Sequence, residues 1–209
     1  MERHFTRIGI SGGTFDPIHH GHLIIAEEVR QEFSLEKVLF IPAGIPPHKR
    51  HLRVSSAEDR YGMVCEAIGS NPFFEASRIE IDRDGYTYTV DTLLKLKEIF
   101  GEGTKLYFII GADTVKELIS WKEPHTIFAL CEFIAVFRPG FDSDIIIREI
   151  ENLRAEYNAI IHVAHVPLIG ISSTAVREKA AAGKSIRYLV PKSVEDYIYK
   201  NQLYAGTGE

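Results

Sequence analysis

Cysteine is scarce: Cys65 and Cys131 are the only two in 209 residues. They are too few for a disulfide scaffold and too far apart in sequence for a zinc knuckle, so reduced, buried thiols are the expected state. Long apolar runs are missing as well. Candidates such as Leu106 to Ile110 and Phe133 to Phe137 fall far short of the roughly 18 residues a membrane span needs, and read instead as buried strands. Met1 to Ile10 carries Arg3 and Arg7 but turns at once to a strand-like pattern, with no apolar h-region or small-residue cleavage site, which predicts a cytoplasmic protein. Positive charge is not in surplus either. A formal net charge of −5 argues against general nucleic-acid binding, so an anionic substrate has to be met by a local cationic patch. Repeats, low-complexity stretches and linkers are absent, and one domain over 1–209 is expected, its C-terminal part from about 171 helical.

What is present is a series of short apolar strands alternating with helical patterns. Strands are predicted at Arg7 to Ser11, Lys37 to Ile41, Arg78 to Asp82, Lys105 to Ile110, Phe133 to Phe137 and Ile160 to Val163. Between them, Leu23 to Phe33, the segment after Ser55-Ser56-Ala57-Glu58 and the segment after Thr89 or Asp91 show helical spacing and capping residues. Ser172 or Ser173 caps a later helix that Gly183 ends, and Pro191 to Asn201 makes the last one. Such alternation favours an α/β, doubly wound, Rossmann-like parallel sheet with helices on both faces. Ligands in such sheets bind beyond the carboxyl ends of the strands, where strand order reverses.

Gly12-Gly13-Thr14 follows the first strand, and two glycines there let backbone N–H groups approach an anion. The segment has neither the lysine and Ser/Thr of a Walker A loop nor the G-x-G-x-x-G spacing, which sets kinases and dehydrogenases aside. His19 and His22 lie three apart with Gly21 between them, so both rings can face one anion at a helix start. A plain tight turn is the bland alternative for the glycines. A metal site built from His19, His20, His22, His48 and His51 is the other, though their spacing fits neither H-E-x-x-H nor a Cys/His zinc pattern, and no metal site is expected.

Gly12 to His22, read GGTFDPIHHGH, resembles the signature of the HxGH nucleotidyltransferases, and Ile171-Ser172-Ser173-Thr174-Ala175-Val176-Arg177 resembles their second motif, ISSTxxR. Pro46-Pro47-His48-Lys49, Tyr88-Thr89 with Asp91-Thr92, Gly111-Ala112-Asp113 with Trp121, and Phe137-Arg138-Pro139-Gly140 bring the likeness closest to bacterial nicotinate mononucleotide adenylyltransferases. It runs from Arg7 to Tyr204.

The resemblance implies transfer of AMP from ATP, accompanied by Mg²⁺, to nicotinate mononucleotide in NAD biosynthesis, giving nicotinate adenine dinucleotide and pyrophosphate. The attacking phosphate is largely ionised at neutral pH, so no general base and no covalent intermediate are needed. His19, His22 and Arg177 would be catalytic. Gly12, Gly13, Thr14, Phe15, Gly111, Asp113, Ile171, Ser172 and Ser173 would complete the ATP site. His48, Lys49, Thr89, Trp121 and Arg138 would hold the mononucleotide. Asp113 would bind ribose hydroxyls or merely cap a helix; Trp121, the only tryptophan, would stack on the pyridine ring or fill the core. Lys49, with His48, is a phosphate clamp or a solvated basic loop. Two departures stand out: Lys122 where many relatives carry an aromatic residue after the Trp, and Ile45 where they often have Asn. The rival readings are an adenylyltransferase for phosphopantetheine or for nicotinamide mononucleotide, and a nucleotide-binding regulator without turnover. No membrane or nucleic-acid partner is expected, and a homo-oligomer is left open.

Overall fold

Strands β1 (Arg7–Gly13), β2 (Lys37–Pro42), β3 (Phe74–Ala76), β4 (Lys105–Gly111), β5 (Glu132–Phe137) and β6 (Ile161–His165) form one sheet in the order β3-β2-β1-β4-β5-β6. Every pairing is parallel. The computed structural model describes residues 5–45, 54–137, 143–167 and 170–205. Helices α1 (His20–Glu32), α2 (Ala57–Ile68), α3 (Thr89–Phe100), α4 (Pro124–Leu130), α5 (Ser143–Tyr157), α6 (Ser173–Ala181) and α7 (Lys192–Lys200), with a 3-10 helix over Ala112–Ser120, supply the connections. The strand order reverses beside β1, which places the switch point between β1 and β4.

Because successive side chains of a strand point to opposite faces, the sheet carries two cores. Ile8, Ile10, Leu106, Phe108, Phe133 and Ala135 pack with Leu93 and Leu96 of α3 and with Ile146, Ile150 and Leu153 of α5. On the other face Val38, Phe40, Tyr107, Ile109, Ile134 and Val136 meet Val29 of α1, Met63 and Val64 of α2, Val176 of α6 and Val194 and Ile198 of α7. The Val, Leu, Ile, Phe and Met side chains among them contribute about 1.5–3 kcal/mol each when fully buried. Gly9 lets β1 pack tightly against its neighbours, since a Cβ there would meet Leu35 Cδ1 at 2.7 Å.

Several expectations about the elements are corrected. Arg78 to Asp82 is a turn, not a strand: Asp82 N–H donates to Arg78 O at 2.9 Å, and Arg78 forks onto Glu58 at 2.7 and 2.9 Å and onto Asp82 at 3.0 Å. The strand is the three-residue β3 just before it, too short to show a period. The α2 cap is Ser56 with Asp59, not Ser55 with Glu58, since Ser56 Oγ accepts from Asp59 N–H at 3.0 Å and donates to the Asp59 carboxylate at 2.6 Å. Tyr88, rather than Thr89 or Asp91, is the N-cap of α3 and gives no side-chain cap. Ser172 does cap α6, accepting from Ala175 N–H at 3.2 Å, and Gly183, at φ +64, closes it. Of the two thiols Cys131 is buried and Cys65 only half-buried; both are free. Burial pushes the Cys131 thiol far up, keeping it protonated.

Candidate active site

The sheet splits where the sequence pattern pointed. β1 pairs with β4 only as far as Ile10 with Phe108. Yet β1 continues along β2 to Gly13 opposite Pro42, and β4 continues along β5 to Gly111 opposite Val136. Beyond Ile10 the two central strands part, and a crevice opens between Gly12-Gly13 and Ile109 to Gly111. Gly12 and Gly13 therefore lie within the strand, two residues later than the sequence suggested for its end. A Cβ on Gly12 would stand 3.1 Å from the Phe108 ring, so the glycine keeps this mouth clear.

At one end of the crevice the chain turns into α1. Phe15 adopts φ +52, a conformation costing a non-glycine residue on the order of 1 kcal/mol or more. Its ring is buried against Phe40 and edge-on to His22 at 5.1 Å, and this packing holds the turn. His19 is the N-cap of α1 and forms a reciprocal capping box with His22. His22 Nδ1 accepts from His19 N–H at 3.2 Å, which leaves the His22 ring proton on Nε2. The two rings stack with centroids 3.7 Å apart and planes at 22°. Both histidines are thus fixed at a helix start, where the peptide dipole favours an anion.

The second motif is sewn to the first. Arg177 Nη1 donates to Asp16 O at 2.6 Å and Nη2 to Thr174 Oγ1 at 3.2 Å, while Ser173 Oγ donates to Pro17 O at 2.9 Å. Ser173 therefore ties loops together in this structure. Beneath the same turn lies a residue that the sequence reading missed. Arg60 is 2% exposed and donates to three carbonyls: Thr14 at 2.8 Å, Ser55 at 3.1 Å and Gly44 at 3.2 Å. It draws the exits of β1 and β2 and the start of α2 to one guanidinium, whose pKa burial lowers against the opposing pull of Asp16. Its signal was legible: Arg60, Val64 and Ile68 share one helical stripe, the buried one. Tyr204 was missed too. Its hydroxyl donates to Asp16 Oδ1 at 2.6 Å, and burial, with that bond, raises its pKa far above the phenol range.

The other end of the crevice is a cavity of about 410 Å³, lined among others by Gly12, Gly13, Thr89, Gly111, Trp121 and Lys122. Trp121 stands edge-on to Phe108 and Phe133, 5.9 and 6.3 Å away, so it is both a core neighbour and a cavity wall. Lys122 Nζ lies 3.4 Å from each Asp91 carboxylate oxygen and 4.8 Å from the centre of the Tyr88 ring. Glu80, also unforeseen, accepts from Thr92 Oγ1 at 2.8 Å; burial raises its pKa despite that bond. Asp113 is exposed in the first turn of the 3-10 helix, and Gly111 is the N-cap there. The capping alternative for Asp113 therefore falls. Its carboxylate lies over Gly111, where a Cβ would meet Oδ1 at 2.4 Å.

Ile171 and Ser172 lead into α6 beside the first motif. His48, Lys49 and Arg138 lie outside the described residues. Among the described residues no group of three or more His, Cys, Asp and Glu side chains is gathered as a metal would require, and no helix is long and apolar enough to cross a membrane.

Comparison with known proteins identifies the family. A family model described as cytidylyltransferase-like matches residues 10–179. A protein of Thermoanaerobacter sp. (strain X514) named "probable nicotinate-nucleotide adenylyltransferase" is 52% identical over 204 residues, covering 98% of this chain and 96% of that one. One of the same name from Moorella thermoacetica is 48% identical over 198 residues, covering 95% and 91%. Among solved structures, the nicotinic acid mononucleotide adenylyltransferase of Plasmodium falciparum complexed with NaAD superposes with a TM-score of 0.78 over 95% of this chain and 97% of that one, at 20% identity. That likeness carries the fold, and the sequence relatives carry the rest: the chain belongs to the nicotinate-nucleotide adenylyltransferase family.

Proposed function

We propose that this chain transfers AMP from ATP to nicotinate mononucleotide, releasing pyrophosphate and forming nicotinate adenine dinucleotide. The observation that carries the reading is the split between β1 and β4, with a fixed His19–His22 pair at one end and the Trp121 cavity at the other. The names of the sequence relatives support the substrate.

In this reading the mononucleotide's phosphate attacks the α-phosphorus of ATP in line, a new P–O bond forms, and the bond to pyrophosphate breaks. No protein atom becomes bonded to substrate. What the chain supplies is alignment of two anions and charge stabilisation on the transferring group. Gly12, Gly13, Thr14 and Phe15 give the backbone wall of the triphosphate site. His22, with its proton on Nε2, and His19 direct donors at the phosphates. Arg177 and the start of α6, with Ile171, Ser172 and Ser173, are assigned to the charge that builds on the leaving pyrophosphate. Gly111 and Asp113 are assigned to the ribose of ATP. Thr89, Trp121 and the backbone after it are assigned to the pyridine ring, and His48, Lys49 and Arg138 to the substrate phosphate. Mg²⁺ would be held by the triphosphate oxygens and waters, where it would offset the charge of the phosphates.

The test supplies ATP and Mg²⁺ with nicotinate mononucleotide, nicotinamide mononucleotide or phosphopantetheine and follows pyrophosphate release. Release that is fastest with the nicotinate substrate is expected, with a fall of about 100-fold or more in His19→Ala. Equal rates with the two pyridine substrates would end the selectivity claim, and release with none of the three would end the enzymatic one.

A further inference from the structure

The proposed pyridine site must tell a ring carboxylate from a carboxamide. Backbone N–H groups and a threonine hydroxyl that meet both oxygens of a carboxylate would leave the NH2 of a carboxamide facing a donor, and a cation beside them would add a preference by charge. Charge is read by charge. Among the described residues that line the cavity, the ionisable ones besides the Tyr88 phenol are Glu80, Glu117 and Lys122, and the two acids would repel a carboxylate. Lys122 is the lining residue that can attract one.

Its placement suits that role. Lys122 directly follows Trp121, and its ammonium is drawn across to the first turn of α3, where Thr89 also lines the cavity. The tether is loose. Both contacts to Asp91 are 3.4 Å long, and the two side chains are 42% and 36% exposed, so the pair contributes little that would have to be given up. The Tyr88 ring, 4.8 Å below the ammonium, holds the cation over the same spot. Tyr88 leaves the start of α3 without a side-chain cap, and an anion is favoured there by the helix dipole. Glu80, pushed toward its neutral form by burial, adds less repulsion than an exposed carboxylate would.

We propose that Lys122 is a specificity-determining residue, whose ammonium swings from Asp91 to the carboxylate of a pyridine ring stacked on Trp121 and so selects the acid over the amide. This rests on the reading of the cavity as the mononucleotide's ring site. Lys122→Met and Lys122→Arg are compared with the unaltered chain in steady-state kinetics on nicotinate and nicotinamide mononucleotides, with ATP and Mg²⁺ saturating. Trp121 is the only tryptophan, so quenching of its fluorescence by nicotinate mononucleotide gives a binding constant independent of turnover. In Lys122→Met the ratio of kcat/KM for nicotinate over nicotinamide substrate is expected to fall about tenfold, or ~1.4 kcal/mol. The loss should lie in KM, with a matching rise in the fluorescence Kd, and Lys122→Arg should recover most of it. A ratio within twofold of the unaltered chain, or an equal loss on both substrates, would overturn the assignment while leaving the adenylyl-transfer reading intact. An unaltered chain that turns over neither pyridine substrate would overturn both.

Discussion

The two ends of the crevice are built differently. At the phosphate end the backbone is fixed by buried or half-buried polar bonds: Arg60 to three carbonyls, Arg177 to Asp16, Ser173 to Pro17 and Tyr204 to Asp16. At the ring end Trp121 rests on aromatic edges, and Lys122 is tied by one long, exposed ion pair. The contrast follows from the tasks. In-line transfer loses rate steeply when reacting atoms are misplaced by an ångström. Recognition of a flat ring tolerates side chains that settle onto it.

Substitutions at the two ends test that contrast. The largest effect is expected from Arg60→Leu, which strips three buried carbonyls of their donor. Stability should fall by about 3 kcal/mol and Tm by roughly 6–12 °C, with kcat falling more than the KM of the mononucleotide. A loss below ~1 kcal/mol in thermal or urea unfolding would show that the guanidinium is not what holds the loop. At the ring end Trp121→Leu keeps an apolar wall but removes the stacking face. A rise of about tenfold in KM for the mononucleotide is expected, from the ~1–2 kcal/mol that base stacking supplies. If kcat fell instead, the two ends would not be separable. The smallest effect concerns Glu80. Its folded-state pKa is raised by burial, so its contribution to stability is fully present below the ordinary carboxylate pKa and is lost as pH rises through the raised value. Glu80→Gln should therefore unfold less readily than the parent at pH 8, by under ~1 kcal/mol, with the advantage shrinking toward pH 4. Urea midpoints at the two pH values measure it, and an advantage that grew on acidification would refute the sign.

The central strands could be read from the sequence because their apolar runs are long enough to be buried on both faces, and Ser172 because a cap is a local event. β3 escaped detection since a three-residue edge strand has no period, whereas the alternating Ile79 and Ile81 imitated one inside a turn tied by Arg78. The His19–Gly21–His22 spacing told of a shared anion, but not that the two rings would cap one helix reciprocally. That depends on Phe15 at φ +52 and its packing against Phe40. Arg60 was hidden by the habit of counting arginine as surface, although its place on the Val64 stripe gave it away. Tyr204 had no signal at all, because its partner lies 188 residues earlier.

That last contact has a consequence for the making of the protein. A ribosome delivers Asp16 188 residues before Tyr204, so the histidine-bearing turn is synthesised well ahead of the hydroxyl that steadies it. Between the two in sequence stands α7, which packs on α2, where Tyr197 covers Gly62 and reaches Asp59. Nascent chains released short of residue 204 would thus keep both signature motifs and still lack the clasp between the first of them and the tail.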